Sequence, residues 1–110
     1  MHIPKSSDVA KCYEKIKSYI HQTPILQSAD LNSRAGCNVW LKCENFQKVG
    51  AFKFRGACNA VLHLESGLAK NGVATHSSGN HGQAIAKAAQ LKGIPAYIVM
   101  PENAPKIKIE

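Results

Sequence analysis

The sequence predicts an α/β fold in which parallel strands alternate with helices, and two observations lead to this class. Segments with apolar residues at every second position alternate along the chain with segments in which apolar residues recur at helical spacing. The run from Ala96 to Met100 is short and continuously apolar, which predicts a strand buried on both faces of a parallel sheet. A chain of 110 residues, 45% of them hydrophobic, is long enough for one modest core.

In the first half of the chain, helical spacing comes before strand spacing. Ser6-Ser7-Asp8 offers an N-cap and an acidic first turn, and Thr23-Pro24 ends the first helix because the residue before a proline avoids helical backbone angles. Gly36 stops a second, shorter helix. In order, the predicted elements are a helix from Ser6 to about Ile20, a helix from Ser28 to Ala35, a strand over Val39 to Cys43 and a loop from Asn45 to Gly50.

The second half of the chain alternates helices with strands. Phe54, Ala57, Val61, Leu64 and Leu68 recur on one helical face, with breakers at Gly67 and Asn71-Gly72. The predicted elements that follow are a strand from Val73 to His76, a glycine-containing turn from Ser77 to Gly82, an alanine-rich helix from Gln83 to Lys92 closed by Gly93, a strand from Ala96 to Met100 and a loop between Pro101 and Pro105.

Charge and hydropathy argue against nucleic-acid and membrane partners. The net charge is +7, but the basic residues are scattered without a run of five, and aromatic residues make up only 6% of the chain. No stretch approaches the ~18 consecutive apolar residues of a transmembrane helix. The opening Met1 to Lys5 lacks the apolar run of a signal peptide. We therefore expect a cytoplasmic protein with no nucleic-acid or membrane partner.

The four cysteines, Cys12, Cys37, Cys43 and Cys58, contain no C-x-x-C pair. Their spacing suits neither a zinc ribbon nor a redox motif. In a chain without a secretion signal they are expected to be reduced thiols packed as small apolar groups.

The turn from Thr75 to Gly82 is the first candidate site. Its glycines at 79 and 82 allow a tight turn that presents backbone N–H groups at the positive end of a helix dipole. Ser77, Ser78, Asn80 and His81 place four hydrogen-bonding side chains in the same turn, more than the single residue that a helix cap needs. The pattern favours an anion site, although it is neither a Walker loop nor a G-x-G-x-x-G motif.

The segment from Gly50 to Ala57 is the second candidate site. Lys53 falls in the opening turn of a predicted helix, where a positive charge opposes the helix dipole. Arg55 is close in sequence, and Phe52 and Phe54 flank the lysine, so like charge and partial desolvation are expected to favour the neutral amine. A neutral lysine amine is the nucleophile that forms a Schiff base with an aldehyde. An ordinary solvated lysine is the alternative.

Taken together, the two segments resemble the serine racemase and threonine dehydratase family. The motifs that carry the resemblance are Lys42 to Lys48, Gly50 to Ala57 and His76 to Gln83, with Ile20 to Pro24 and Gly93 to Ile98 matching as well. The sequence of Thr75 to Gly82, Thr-His-Ser-Ser-Gly-Asn-His-Gly, resembles the racemases more closely than the dehydratases. The resemblance implies the tryptophan-synthase-like fold of pyridoxal-phosphate enzymes (fold type II), present here as an amino-terminal portion.

The resemblance also implies a role for each matching residue. Lys53 would hold pyridoxal phosphate and act as base on one face of the substrate, and Ser78 would be the acid or base on the opposite face, as racemisation requires. Asn80 would hydrogen-bond the pyridine hydroxyl, and Phe52 would pack beside the ring. Ser77, Asn80 and His81 would hold the carboxylate of serine or threonine.

Further expectations concern effectors and organisation. ATP would be bound by Ser28, Lys48 and Gln83, and Mg²⁺ is an expected effector whose ligands lie outside this chain. The family's glycine-rich phosphate loop and the partner of the pyridine nitrogen also lie further along, and Ala51 stands where many members have serine. Residues 1–66 would belong to a large domain and residues 72–110 to a small one, with Lys53 and Asn80 facing each other across the cleft between them. The complete enzyme would be a homodimer.

The resemblance implies an enzyme that interconverts L- and D-serine, and three alternatives to this function stay open. One is a threonine or serine dehydratase, because α,β-elimination to pyruvate and ammonia shares chemistry with racemisation. Another is a truncated, non-catalytic chain that binds full-length subunits or small anions, which the abrupt end at Ile109-Glu110 suggests. A basic nucleic-acid module is the third, and it would bind in a strongly salt-dependent way.

Overall fold

The computed structural model describes residues 3–109, with the side chain of Lys108 left out, so the chain ends Met1, His2 and Glu110 lie outside the described residues. The helices are α1 (Ser6–Ile16), α2 (Ala29–Ala35), α3 (Lys53–Leu62), α4 (Ser66–Ala69), α5 (Asn80–Lys92) and α6 (Lys106–Ile109). The strands are β1 (Ile25–Leu26), β2 (Leu41–Lys42), β3 (Val73–His76) and β4 (Ala96–Val99), and two 3-10 turns cover Glu44–Phe46 and Lys48–Gly50.

The predicted helices α2 and α5 and the predicted strand β3 are confirmed. Ser28 caps α2 by accepting a hydrogen bond from the Leu31 N–H at 3.4 Å, and Gly36 ends the helix with a φ of 65°. Gly93 ends α5 in the same left-handed conformation, with a φ of 72°. Helix α5 begins at Asn80, inside the segment predicted as a turn.

Two predicted helices are too long. Helix α1 ends at Ile16, and the Tyr19 N–H donates to the Ile16 carbonyl in a turn that lets Ile20 pack against the core. Its N-cap is Lys5, whose N–H donates to Asp8 Oδ2 at 2.9 Å, rather than a residue of the Ser6 to Asp8 signal. The helical face predicted over Phe54 to Leu68 is interrupted after Leu62, and α4 follows as a separate short helix.

The strands form two separate two-stranded sheets. β1 and β2 are antiparallel, with Ile25 opposite Lys42, whereas β3 and β4 are parallel, with Val73 opposite Ala96 and His76 opposite Val99. The prediction that the Ala96 strand is buried on both faces is wrong. Its residues alternate between half-buried and exposed because α5 packs beside the β3–β4 sheet, while Tyr97 and Val99 are 60% and 58% exposed.

The core lies between α3 and α5. Phe54 and Cys58 of α3 are fully buried, and they pack with a stripe of α5 in which Ala84 and Ala88 have no exposed surface. Small alanine side chains allow the two helix backbones to approach closely. The core joins residues of both predicted segments, 1–66 and 72–110. The assignment of these segments to two domains stays a prediction.

Helices α3 and α5 run in the same direction. At their C-terminal ends, Lys92 Nζ donates to the carbonyls of Leu62 and Leu64 at 2.9 and 2.7 Å. These bonds satisfy backbone acceptors where α3 ends, so a tertiary contact stabilises the end of this helix. The 3-10 turn Lys48–Gly50, which precedes α3, contacts α5, and its Val49 borders the same groove as Gly82 and Gln83 in the first turn of α5. Both helices therefore begin at the same end of the pair.

Candidate active site

Lys53 is the first residue of α3, and its side chain is exposed. Its Nζ lies 5.4 Å from the centroid of the Phe52 ring, a cation–π distance, and that ring is itself 62% exposed. The expected desolvation of Lys53 by flanking rings is wrong for this chain, because Phe54 points into the core. The like charge of Arg55 is also compensated, since Arg55 forms an ion pair with Glu44.

The backbone immediately before α3 is held in an unusual conformation. Val49 has a φ of 57° and Gly50 a φ of 66°. The left-handed region costs little for glycine but is a genuine outlier for a β-branched residue. Val49 nevertheless packs against the core, so the surrounding contacts hold it there.

Buried Gln47 ties this turn to the segment that follows α1. Its Oε1 accepts from the N–H groups of His21 and Lys48 at 2.9 and 3.0 Å, and its Nε2 donates to the His21 carbonyl at 2.9 Å. Gln47 is only 3% exposed, and its amide group pairs with the backbone of a segment 26 residues earlier. Backbone pairing by both ends of one amide fixes the turn relative to residues 20–24.

Arg55 and Glu44 form a bidentate ion pair beside the first turn of α3. Arg55 Nε donates to Glu44 Oε2 at 2.8 Å and Nη2 donates to Oε1 at 2.7 Å. Buried Thr23 donates its hydroxyl to the same carboxylate. Hydrogen bonds from Arg55 first, and from Thr23, lower the pKa of Glu44 to about 2 against the opposing effect of burial, and the pKa of Arg55 is raised by the same pair.

Sequence reasoning assigned no role to Glu44 or Gln47, and it treated Arg55 only as a like charge close to Lys53. In the sequence these residues are only polar positions within the matching motifs, because their hydrogen-bond partners lie 11 to 26 residues away along the chain. Neither helical nor strand spacing relates them.

The turn between β3 and α5 is shaped by Ser77 and Gly82. The Ser77 N–H donates to the Val99 carbonyl at 3.0 Å, and Ser77 Oγ accepts from the Gly79 N–H at 3.3 Å. A Cβ at Gly82 would lie 2.8 Å from the Ser77 carbonyl oxygen and 3.1 Å from Ile98 Cγ2, so only glycine permits this close approach. Ser78, Asn80 and His81 are exposed, and Gly79 is an N-cap without a side chain.

Because α3 and α5 begin at the same end of the pair, the start of α3, with Lys53 and Phe52, lies at the same end as the turn with Ser77, Ser78, Asn80 and His81. Two helix N-termini, each with its positive dipole end, therefore point to one side of the molecule. A lysine ammonium adds to this field, and the serine, asparagine and histidine side chains supply hydrogen-bonding groups. The arrangement suits an anionic ligand with a group that reacts with an amine.

The three residues expected to bind a nucleotide lie in different local settings. Ser28 is the N-cap of α2 and Lys48 Nζ lies 5.8 Å from the centroid of the Phe54 ring. Gln83 lines an open groove of about 1030 Å³ between α5, β4 and the residues that follow β4, and Val49 borders the same groove. Only Gln83 of the three lines this groove in the part of the chain that the structure describes.

Among residues 3–109, no three His, Cys, Asp or Glu side chains gather in a group that could hold a metal ion. No helix over the same residues is long and apolar enough to cross a membrane. All four cysteines are free thiols, and burial raises the pKa of Cys58.

Comparison with known proteins shows that residues 16–110 match a family described as pyridoxal-phosphate dependent enzyme. A serine racemase of Arabidopsis thaliana is 56% identical over 102 residues, which are 93% of this chain and 31% of that protein. An L-threo-3-hydroxyaspartate ammonia-lyase of Saccharomyces cerevisiae is 51% identical over 99% of this chain and 33% of that protein. The solved structure of maize serine racemase is 44% identical and superposes with a TM-score of 0.92 over 98% of this chain and 33% of that one. The chain thus spans about a third of the length of the relatives it matches.

Proposed function

Because the chain belongs to the family of pyridoxal-phosphate dependent enzymes and has the α/β fold of its fold-type II members, we propose that it is the amino-terminal part of a serine racemase. The complete enzyme would interconvert L- and D-serine, with α,β-elimination to pyruvate and ammonia as a second reaction. The observation that carries this proposal is the parallel pairing of α3 and α5. It presents a lysine and a hydrogen-bonding turn from two helix N-termini at one end of the molecule.

The residues present fit pyridoxal phosphate. The cofactor supplies an aldehyde that an amine can capture and a conjugated ring that withdraws electrons from the substrate. Lys53 offers an exposed primary amine, and the exposed Phe52 ring beside it offers an apolar surface for a flat heterocycle. Asn80 would donate to or accept from the ring hydroxyl.

Catalysis would divide between two groups on opposite faces of the substrate. Lys53 Nζ would remove or return the α-proton on one face, and Ser78 Oγ would do so on the other. Ser77, Asn80 and His81, with the backbone N–H groups of the first turn of α5, would hold the substrate carboxylate. With the substrate carboxylate fixed at a helix N-terminus, the α-carbon would lie between Lys53 and Ser78, the two groups that carry the proton.

The cofactor proposal is tested on the complete enzyme by mixing it with pyridoxal phosphate, reducing with borohydride and locating the added mass by peptide mapping. We expect the label at Lys53, and its loss in Lys53→Ala. Lys70→Ala is the matched control, because Lys70 is also exposed but lies at the end of α4. Label distributed over the exposed lysines, with no excess at Lys53, would contradict the proposal.

A dehydratase is the second candidate, and the 51% identity to the yeast ammonia-lyase favours it. The two functions differ in the fate of the substrate. In the complete enzyme, a racemase forms D-serine from L-serine, whereas a dehydratase forms only the keto acid and ammonia. In the complete enzyme, Ser78→Ala should abolish racemisation, because racemisation needs a second group that carries the proton. Proton removal by Lys53 should be unaffected.

The effectors and assembly expected from the sequence belong to the same proposal. ATP would contact Ser28, Lys48 and Gln83, and Mg²⁺ would be bound by residues outside this chain. The complete enzyme would be a homodimer that acts on serine, with threonine as the alternative. The cytoplasmic location and the division into 1–66 and 72–110 stay predictions.

A further inference from the structure

A network of polar groups that includes buried Thr23 and Gln47 and the partly exposed Arg55–Glu44 pair lies beside the first turn of α3, and it involves none of the residues assigned above to cofactor or substrate. Arg55 donates two hydrogen bonds, of 2.8 and 2.7 Å, to the Glu44 carboxylate. The side-chain amide of Gln47 pairs with both the N–H and the carbonyl of His21. Lys42 Nζ donates to the Thr23 carbonyl at 2.7 Å. Three stretches of chain, 21–23, 42–48 and the first turn of α3, are thereby joined.

Resting on the proposed function, we infer that Arg55 is a positioning residue for Lys53, acting through Glu44 and assisted by Gln47. Arg55 and Lys53 share the first turn of α3, so any rotation or fraying of that turn displaces both side chains. The backbone N–H of Arg55 donates to the Phe52 carbonyl at 3.1 Å and so closes the turn that contains Lys53.

The first turn of α3 needs such support because of its own charges. Two basic residues, Lys53 and Arg55, lie where the helix dipole is positive, which disfavours the helical conformation. The Glu44 carboxylate, held beside that turn by Arg55, supplies the opposite charge that a helix N-terminus favours. The turn is thus stabilised by a residue from outside the helix.

The segment before α3 needs support as well. Val49 is held at a φ of 57°, and a strained residue of this kind persists only where its surroundings determine its conformation. Gln47 fixes the chain two residues before Val49, and the Arg55–Glu44 pair fixes it six residues after. Lys53 lies between these two fixed points.

This arrangement explains how an exposed lysine can react selectively. A solvated lysine side chain samples many rotamers, and an amine gains reactivity toward one bound partner when its backbone is held in place. The network fixes the backbone at Lys53 and leaves the amine accessible, as a covalent cofactor attachment requires.

Two measurements on Arg55→Gln test the inference. The first is the share of reductive pyridoxal-phosphate label found at Lys53 relative to Lys70, which we expect to fall about tenfold. The second is amide hydrogen exchange without cofactor, in which protection of the first turn of α3 should fall about tenfold while the buried α5 amides keep theirs. Arg55→Lys, which keeps the charge but not the fork, should give intermediate values.

The matched control is Arg34→Gln on α2. Arg34 also pairs with a carboxylate, Asp30, at 2.9 Å, but this pair is exposed and lies on a helix that carries no proposed catalytic group. It should change neither readout. If Arg55→Gln does not fold, Thr23→Val removes the hydroxyl that donates to Glu44 and accepts from Arg55 Nη2 at 3.4 Å, and it should lower both readouts in the same direction.

The outcomes separate the two proposals. If the parent chain labels Lys53 selectively and Arg55→Gln does so equally, with protection of α3 unchanged, the positioning role is refuted. If the complete, unsubstituted enzyme labels its lysines indiscriminately, the proposed function fails. In that case a selective loss of α3 protection in Arg55→Gln would still support the role of Arg55 in holding this turn.

Discussion

Replacing Glu44 with glutamine is the most informative test of the polar network. The substitution keeps the size of the side chain and one oxygen acceptor but removes the charge that pairs with Arg55. It leaves Arg55, a permanently charged group that is 27% exposed, beside a neutral amide. The chain should therefore lose stability at neutral pH, and the loss should disappear in acid.

The magnitude follows from the pKa of Glu44, which the network lowers from 4.5 to about 2. A shift of that size corresponds to about 3 kcal/mol, and solvent screening of a partly exposed pair reduces it to about 2 kcal/mol. Because the folded-state pKa lies below the unfolded-state value, this contribution is complete above pH 4.5 and is lost as the pH falls towards 2.

Urea unfolding of the parent chain and Glu44→Gln across this pH range is the assay. The difference in unfolding free energy should be about 2 kcal/mol at pH 7 and should approach zero near pH 2. Asp30→Asn is the control, because its exposed pair with Arg34 should contribute less than about 0.5 kcal/mol. A Glu44→Gln difference that is absent at pH 7, or that stays constant down to pH 2, would refute the reasoning.

Three further predictions concern glycines and a buried thiol. Gly72→Ala should lower the free energy of unfolding in urea by about 3 kcal/mol, and Gly36→Ala by about 1 kcal/mol. Both glycines have a positive φ, but only at Gly72 would a Cβ meet the backbone, where the Pro95 carbonyl oxygen lies 2.6 Å away. Gly82→Ala should destabilise the chain by about 2 kcal/mol despite the higher helix propensity of alanine, since its Cβ would contact the Ser77 carbonyl; equal or higher stability would contradict this contact. Cys58, fully buried and with a raised pKa, should react with a thiol reagent only on unfolding, whereas exposed Cys37 should react at once.

Local signals explain why part of the fold could be predicted. Helix α2 carries both of its boundary residues in sequence, a serine cap and a glycine stop, and β3 is bounded by Gly72 and the Ser77 turn. The end of α3 could not be read in the same way, because the group that satisfies its carbonyls is Lys92, some thirty residues later. Strand β1 has only two residues, too few for a period of two to be visible.

In the candidate site, too, local motifs could be predicted and contacts between distant residues could not. Lys53 and the Ser77 to His81 turn could be proposed because each is a short contiguous motif at a helix start. The groups that support Lys53 could not, since Gln47 reads as one more polar residue in a loop until its buried contacts with His21 are known. Sequence patterns therefore point to groups that would meet a ligand more readily than to groups that would hold them.

The pairing of α3 with α5 links the fold to the proposed chemistry. Two parallel helices place their positive dipole ends side by side, which is unfavourable unless negative charge lies nearby. On one side that charge is Glu44, which neutralises Arg55 and leaves Lys53 outward and exposed. On the side of the Ser77 turn, the first residues of α5 are Asn80, His81 and Gly82, with no acidic residue in the first turn. An anionic ligand bound at this turn would supply the missing negative charge. Its binding would therefore also raise the free energy of unfolding of the chain.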